Sequence, residues 1–280
     1  MLIVRAPAKI NLTLDVLGRR LDGYHALRSV MQTLELHDTL ELTGLAEPAI
    51  VFECDVPALC GDANLVMRAA RLLREHTGYS GGARIVLRKR IPVDAGLGGG
   101  SSDAAATLQG LGQLWDLDLP RDHLAELGAH LGSDVPFFLY APTALVGGRG
   151  EYVEPLPPIP PVHVVLHKPE GGVSTARVFA AFPPARYGDG SGTDHLLAAL
   201  REGRPVEEWP LSNGLQETVG EMYPDVAAAL SRLAAAGAPR PILTGSGSTV
   251  YALFATQDQA RQVHDRLAAT DHMSILTGSG

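Results

Sequence analysis

The chain has 280 residues, longer than one typical domain and suited to two fused ones. It is 45% hydrophobic and 19% charged, enough apolar residue to build a core, which excludes wholesale disorder. A net charge of −8 gives the global field the wrong sign for duplex nucleic acid or an anionic membrane surface, though a small anionic ligand needs only a local cationic pocket. Aromatic residues, at 5%, are too few for a long single-strand stacking platform. No apolar run approaches the length of a membrane span. Arg5 and Lys9 fall where a signal peptide would need its apolar stretch. Cys54 and Cys60 are the only cysteines, so the composition suggests neither a disulfide framework nor a cysteine zinc site. They read as two reduced thiols of a cytoplasmic protein.

In chain order, residues 3–17 read as strand around the interruption Ala6-Pro7-Ala8-Lys9. Arg19–Tyr24 carries an Asp-Gly turn signal, and residues 29–43 read as strand again. Asn64 is a suitable N-cap for a helix that carries Leu65, Ala69, Leu72 and Leu73 at helical spacing and ends at Gly78. Arg84–Ile91 reads as strand, Ala104–Leu114 as helix, and Arg121–Leu131 as a short helix closed at Gly132. Residues 155–161, PLPPIPP, are neither helix nor central strand, because proline lacks an amide donor and has a restricted φ. The domain boundary is placed there, with an N-terminal domain over 1–157 and a C-terminal domain over 158–280. Beyond it come a strand at 162–166, helices near 174–181, 194–202 and 224–236, a strand at 249–254 and a last helix at 257–269. The pattern predicts two α+β units rather than a doubly wound sheet. The hexapeptide ILTGSG occurs at 242–247 and at 275–280, and its unmatched flanks make the echo a coincidence rather than a repeat.

The most informative stretch runs Pro92, Val93, Asp94, Ala95, Gly96, Leu97, Gly98, Gly99, Gly100, Ser101, Ser102 and leads into a helix. Its glycines permit φ > 0 and leave no Cβ to hold a ligand away. The helix behind it offers unpaired N–H groups and a positive dipole end. Together they form an anion site that suits a polyphosphate. Ser101 and Ser102 stand where they can cap the helix or touch phosphate oxygens or a cation the phosphates carry. The stretch is neither a Walker loop, since GxxxxGK[ST] is absent, nor a Rossmann fingerprint, since Ser101 replaces its third glycine.

This loop, with Pro7-Ala-Lys-Ile-Asn-Leu12 before it and Leu243-Thr-Gly-Ser-Gly-Ser-Thr249 after it, resembles the three segments of the GHMP kinase superfamily, named for galactokinase, homoserine kinase, mevalonate kinase and phosphomevalonate kinase. Asp22-Gly-Tyr-His25, Asn64-Leu65, Gly132-Ser-Asp-Val-Pro136 and Val173-Ser-Thr175 are most similar to the branch that phosphorylates 4-diphosphocytidyl-2-C-methyl-D-erythritol, an isoprenoid precursor of the non-mevalonate route. The resemblance implies a two-domain α+β architecture with the active site in the interdomain cleft. It implies ATP as cofactor, with Mg²⁺ accompanying it and no protein ligand for the metal identified, and a cytidine-diphosphate-linked polyol as the other substrate. It makes Asp134 the general base for the substrate hydroxyl and Lys9 the cation beside that carboxylate. It places Asn64, Leu65 and Lys89 at adenine, and Asn11, Tyr24, His25, Thr175 and Phe179 at the acceptor. Asn11 alternates with Lys9 along a strand, so their side chains share a face. Tyr24 and Phe179 offer rings to stack on a pyrimidine.

Two departures stand out. Asp94 is an acid beside a phosphate loop, and Asn213-Gly214-Leu215-Gln216 replaces an Asn-Asp-Leu-Glu pattern. Two alternatives remain beside the leading reading: another GHMP kinase, of homoserine or mevalonate type, and a non-catalytic nucleotide or sugar sensor on the same fold. Asp22-Gly-Tyr-His25 weighs against the first, and retention of both Lys9 and Asp134 against the second.

Overall fold

The computed structural model describes residues 1–140, 142–270 and 273–280. The chain opens with β1 (Leu2–Asn11), β2 (Thr13–Arg19), β3 (His25–Leu45), β4 (Ile50–Cys54), α1 (Leu65–Thr77) and β5 (Gly82–Arg88). It continues through α2 (Gly99–Leu114), α3 (Arg121–Leu131), α4 (Val135–Tyr140), β6 (Thr143–Gly148) and β7 (Tyr152–Pro155). After the proline run come β8 (His163–His167), α5 (Thr175–Ala181), α6 (Ser191–Arg201), β9 (Ser212–Asn213), α7 (Gln216–Met222) and α8 (Pro224–Ala235). The chain closes with β10 (Ile242–Leu243), β11 (Val250–Phe254), α9 (Gln257–Ala268) and β12 (Ser274–Gly278).

The long strand β3 organises an eight-stranded sheet. One edge of β3 pairs with β1 and then β2, the other with β5 and β6, all antiparallel. β4 adds to β5 in parallel, and β7 to β6 antiparallel. A separate four-stranded sheet has the order β10-β11-β8-β12. The chain passes from the large sheet to the small one through the proline run, but β9 returns to pair in parallel with β2. The sheets therefore share more than a linker.

The β1–β3 ladder breaks between Pro7 and Lys9. Before the break, Ala6 packs with Leu40 and Leu42 in a core roofed by α1, α2 and α3. Beyond it, Ala8, Ile10 and Leu12 pack with Val30 and Leu34 against Val164, Leu166 and Tyr251 of the small sheet. Simple alternation would have kept all the even-numbered residues on one face. The irregularity hands them from one core to the other and turns Lys9 and Asn11 to the opposite side. Tyr251 locks this arrangement: fully buried, it donates its hydroxyl proton to the carbonyl of Asn11 at 2.8 Å.

Several elements lie outside what patterning suggests. Helix α2 starts at Gly99, five residues before Ala104, because Gly98 adopts φ 72° and serves as its N-cap. Strand β5 stops at Arg88 rather than Ile91, because the carboxylate of Asp38 captures the N–H groups of Arg90 at 2.5 Å and Ile91 at 2.8 Å. β4, α4, β6, β7, α7 and β12 were not anticipated; β6 and β7 are short and glycine- or proline-flanked, and α4 has only six residues. Both ILTGSG copies contribute an outer strand of the small sheet, β10 and β12.

Removing the Tyr251 hydroxyl leaves the Asn11 carbonyl buried and unpaired. Tyr251→Phe should lower stability by about 1–3 kcal/mol. Urea denaturation checks this, with an unchanged midpoint as the contrary result.

Candidate active site

The glycine loop is pinned on two sides. Lys9 donates its backbone N–H to the carbonyl of Leu97 at 2.9 Å, which is the bond the ladder break makes available. On the other side Thr249 donates its N–H to the carbonyl of Ala95 at 3.2 Å. A Cβ on Gly96 would come within 2.6 Å of the Gly247 carbonyl oxygen and 2.8 Å of that of Thr244, so the three motif segments meet where only glycine fits. The turn bearing Thr244 and Gly245 is held in turn by Asn213, whose amide donates to the carbonyls of Leu243 at 2.8 Å and Gly245 at 2.9 Å. Gln216 accepts from the N–H of Leu243 at 2.9 Å. Gly214 lies against β2, where a Cβ would stand 3.3 Å from the carbonyl oxygen of Leu14. Asp94 is exposed at φ 52°, beside Gly172.

Lys9 is 4% exposed, and its ammonium donates to Asn11 Oδ1 at 2.8 Å. It stands 3.6 Å from Oδ2 of Asp134, whose side chain is 37% exposed. Burial lowers the Lys9 pKa from its ordinary value, and the charge of Asp134 opposes that shift. Asn11 is fully engaged: its amide donates to Ser29 Oγ at 2.8 Å, and Ser29 donates to the Thr13 carbonyl at 2.5 Å. Asp134 sits just before α4, whose residues Val135, Pro136, Phe137 and Leu139 are buried. The carboxylate thus stands at the head of a short, buried helix and faces the space beside Lys9.

That space is a cavity of about 870 Å³, within the usual range for a small-molecule site. Lys9, Asn11, Gly96, Gly98, Asp134 and Gly245 line its inner end. Tyr24, His25, Thr175 and Phe179 line the rest, so the structure gathers every acceptor-side candidate around one volume. His25 is 8% exposed and stacks on Phe179, with ring centroids 5.2 Å apart and planes at 29°. Burial and then the charge of Arg19, its cross-strand partner, lower the His25 pKa, so the ring is neutral at neutral pH. Thr175 shares a 2.7 Å hydrogen bond with Ser246 of the C-terminal glycine turn.

Patterning missed Arg149, Phe182 and Tyr187. Arg149 lies over the Tyr24 ring at 5.1 Å, and Tyr187 Oη stands 3.4 Å from His25 Nε2. Arg149 had a faint signal, a lone cation within Gly147-Gly-Arg-Gly150; Tyr187 in its polar loop had none.

The candidates expected at adenine lie outside this cavity, against the far side of the glycine loop. Asn64 caps α1, accepting from the Val66 N–H at 2.9 Å, and donates to the Leu59 carbonyl at 3.0 Å. Leu65 follows it, its Cδ1 3.6 Å from where a Cβ on Gly100 would be. Lys89 is buried between two carboxylates: its ammonium donates to Asp38 Oδ2 at 2.5 Å and Asp103 Oδ2 at 2.8 Å. Burial pushes the Asp103 carboxyl up to about 7 against the charge of Lys89, with Asp38 adding to the rise. Ser102 Oγ, buried in the first turn of α2, has no hydrogen-bond partner.

Comparison with known proteins agrees with this geometry. Residues 64–142 match the GHMP kinases N-terminal domain and residues 196–272 the GHMP kinases C-terminal domain. The chain is 47% identical to 4-diphosphocytidyl-2-C-methyl-D-erythritol kinase of Pelotomaculum thermopropionicum, over 97% of this chain and 96% of the relative. A crystal structure of 4-(cytidine 5′-diphospho)-2C-methyl-D-erythritol kinase superposes with a TM-score of 0.86 at 37% identity, covering 100% of both chains. Homoserine kinase of Cytophaga hutchinsonii shares the fold at a TM-score of 0.77 and 19% identity, over 99% of this chain and 94% of that one. The chain belongs to the GHMP kinases, and within them to the 4-diphosphocytidyl-2-C-methyl-D-erythritol kinase family.

Proposed function

We propose that the protein transfers the γ-phosphoryl group of ATP to a hydroxyl of 4-diphosphocytidyl-2-C-methyl-D-erythritol, giving the 2-phosphate and ADP, as a cytoplasmic enzyme of the non-mevalonate isoprenoid precursor pathway. The observation that carries this reading is the placement of the Lys9–Asp134 pair. The pair stands 3.6 Å apart at the inner end of the acceptor cavity, and a Cβ on Gly98 of the glycine loop would lie 2.9 Å from Lys9 Cγ. Acceptor hydroxyl and phosphate donor therefore converge on one carboxylate and one cation.

Phosphoryl transfer asks mainly for alignment and charge stabilisation. Asp134 accepts the proton of the acceptor hydroxyl as the oxygen attacks phosphorus in line, and the P–O bond to ADP breaks. Lys9 offsets the negative charge on the transferring group. Asn11 fixes the Lys9 ammonium, so little reorganisation is needed during transfer. The loop from Pro92 to Ser102 cradles the phosphates with backbone N–H groups, and Asn64 and Leu65 form the adenine side, with Lys89 held beneath the loop by Asp38 and Asp103. Mg²⁺ accompanying ATP would neutralise phosphate charge. Among the described residues no group of three or more His, Cys, Asp or Glu side chains gathers to hold a metal.

At the outer end, the acceptor base stacks between Tyr24 and Phe179, and neutral His25 offers one ring N–H and one lone pair to its edge. Arg19 and Arg149 line the same cavity, local cations suited to the diphosphate in a chain of net charge −8.

Asp134→Asn keeps the shape but cannot take a proton. It should lower kcat by about 10²–10⁴ with acceptor KM within a few-fold. Lys9→Met should also lower kcat, and the double variant should lose less than the product of the two single losses, because the pair acts as a unit. Steady-state kinetics with chemistry rate-limiting measures all three; a near-normal kcat in folded Asp134→Asn would falsify the base assignment.

Gly100 separates protein packing from ligand approach. A Cβ there meets nothing closer than Leu65 at 3.6 Å, whereas one on Gly98 would clash with Phe138 at 2.8 Å and Lys9 at 2.9 Å. Gly100→Val should therefore melt like the native chain yet lose ATP affinity, whereas Gly98→Val should damage both. Calorimetric titration with ATP beside a thermal melt tests the contrast.

Tyr24→Ala should weaken the cytidyl substrate by about 1–3 kcal/mol, the range for one lost aromatic–base stack, and leave ATP affinity unchanged. Equal losses for both ligands, measured by calorimetry, would make Tyr24 a packing residue.

A further inference from the structure

We infer that Asp38, Lys89 and Asp103 act together as a positioning unit for the phosphate loop, joining its entry to the first turn of α2 and leaving the Lys89 ammonium turned away from the nucleotide. The inference rests on the reading of that loop as the ATP site and goes beyond it in what it assigns to these three side chains.

The three residues come from three elements. Asp38 lies in β3 and is fully buried; Asp103 lies in α2 at 3% exposure; Lys89 follows β5 with its side chain at 7%. Asp38 Oδ1 receives the N–H groups of Arg90 and Ile91, the residues with which the chain leaves the sheet for the loop. Its Oδ2 receives the Lys89 ammonium, which also reaches Asp103 on the helix beyond the loop. A Cβ on Gly99 would lie 3.3 Å from Lys89 Nζ, so the ammonium sits directly beneath the first helical residue. Both feet of the glycine arch, residues 90–91 and 99–103, thus stand on one ionic cluster. The Lys89 backbone N–H is held as well, by Asp55 Oδ1 at 2.9 Å.

The charge arithmetic favours positioning over stability. One ammonium stands between two buried carboxyl groups, of which burial pushes Asp103 up to about 7, and ion clusters taken out of water contribute little net stability because desolvation offsets the Coulombic gain. What such a cluster supplies is a single geometry, since each partner leaves the others uncompensated if it moves. A lysine with both neighbours ionic and almost no exposed surface has little capacity left for a ligand. Its place before the loop therefore reflects how the loop is held, not a contact with adenine.

Three variants of the full chain test this: Asp103→Ala, Asp103→Asn and Lys89→Met. Each is titrated calorimetrically with Mg·ATP in the absence of acceptor, then assayed for KM and kcat, with thermal melts run alongside. Asp103→Ala removes the tie to α2 and leaves Lys89 on Asp38. It should weaken ATP about tenfold or more while acceptor KM and kcat at saturating ATP stay within about twofold. Asp103→Asn keeps an oxygen that accepts from Lys89 and should return ATP affinity to within about threefold of the native chain. Lys89→Met should resemble Asp103→Ala, and if it does not fold the two Asp103 variants still decide. Native ATP affinity in Asp103→Ala with a large loss in Lys89→Met would overturn the inference in favour of direct contact. A lowered melting temperature in Asp103→Ala with unchanged ATP affinity would overturn it in favour of a purely structural role. Failure of the native chain itself to bind ATP would overturn the reading of the loop, and with it this inference.

Discussion

The irregularity in the β1–β3 ladder between Pro7 and Lys9 is the constraint on which the site depends. A regular strand alternates without interruption, and this one must serve two cores. Leu2, Val4 and Ala6 face the helical layer, while Ala8, Ile10 and Leu12 face the small sheet. The change of face turns a lysine inward at the point where the ladder is already interrupted. It also frees the Lys9 N–H to bond the loop at Leu97 rather than β3. One local departure from regular pairing therefore orients the cation, aligns Asn11 with it and anchors the phosphate loop.

Burying that lysine carries a cost. An ammonium at 4% exposure loses most of its hydration, and Asn11 and Asp134 replace it with one hydrogen bond and one opposite charge. The half-exposed carboxylate is the member of the pair left able to approach a substrate. The same logic recurs on the other side of the loop, where Lys89 is buried against two carboxylates. The two lysines flank one glycine arch but differ in commitment: Lys9 faces the cavity, and Lys89 faces the scaffold. Their sequence settings differ, Lys9 standing between Ala8 and Ile10 and Lys89 between Arg88 and Arg90, but neither setting shows which lysine faces the cavity.

Much of the site was legible because its parts are local. The glycine run, the Asn64 cap, the Asp22-Gly23 turn and the Gly132-Ser133-Asp134 corner each announce themselves through backbone chemistry that few residue types satisfy. The family resemblance set these parts in order. What escaped depends on contacts distant in the chain. Asp38 sits within a plain strand pattern, and nothing near it marks the capture of Arg90 and Ile91 more than fifty residues later. Tyr187 reaches His25 from a polar loop. The six-residue α4 is too short for a helical period to show, although Val135 and Phe137 on it are fully buried. The parity change in β1 was visible only as an interruption, because deciding which face each residue takes requires both cores to be known.

The residues proposed to form a shell that reads the acceptor and those proposed to carry the transfer occupy different parts of the chain. Tyr24 belongs to the β2–β3 turn and His25 to the start of β3, Arg149 to the turn between β6 and β7, and Phe179, Phe182 and Tyr187 to α5 and the segment after it. Lys9, Asp134 and the glycine arch belong to β1, the head of α4 and the β5–α2 connection. Substitutions in the shell change side chains on turns, the start of β3 and one helix, and none of them carries the ladder break or an ionic anchor of the arch. Such a layout lets selection retune what is phosphorylated while the phosphorylating apparatus stays intact, so divergence within this architecture is expected to concentrate at the cavity mouth.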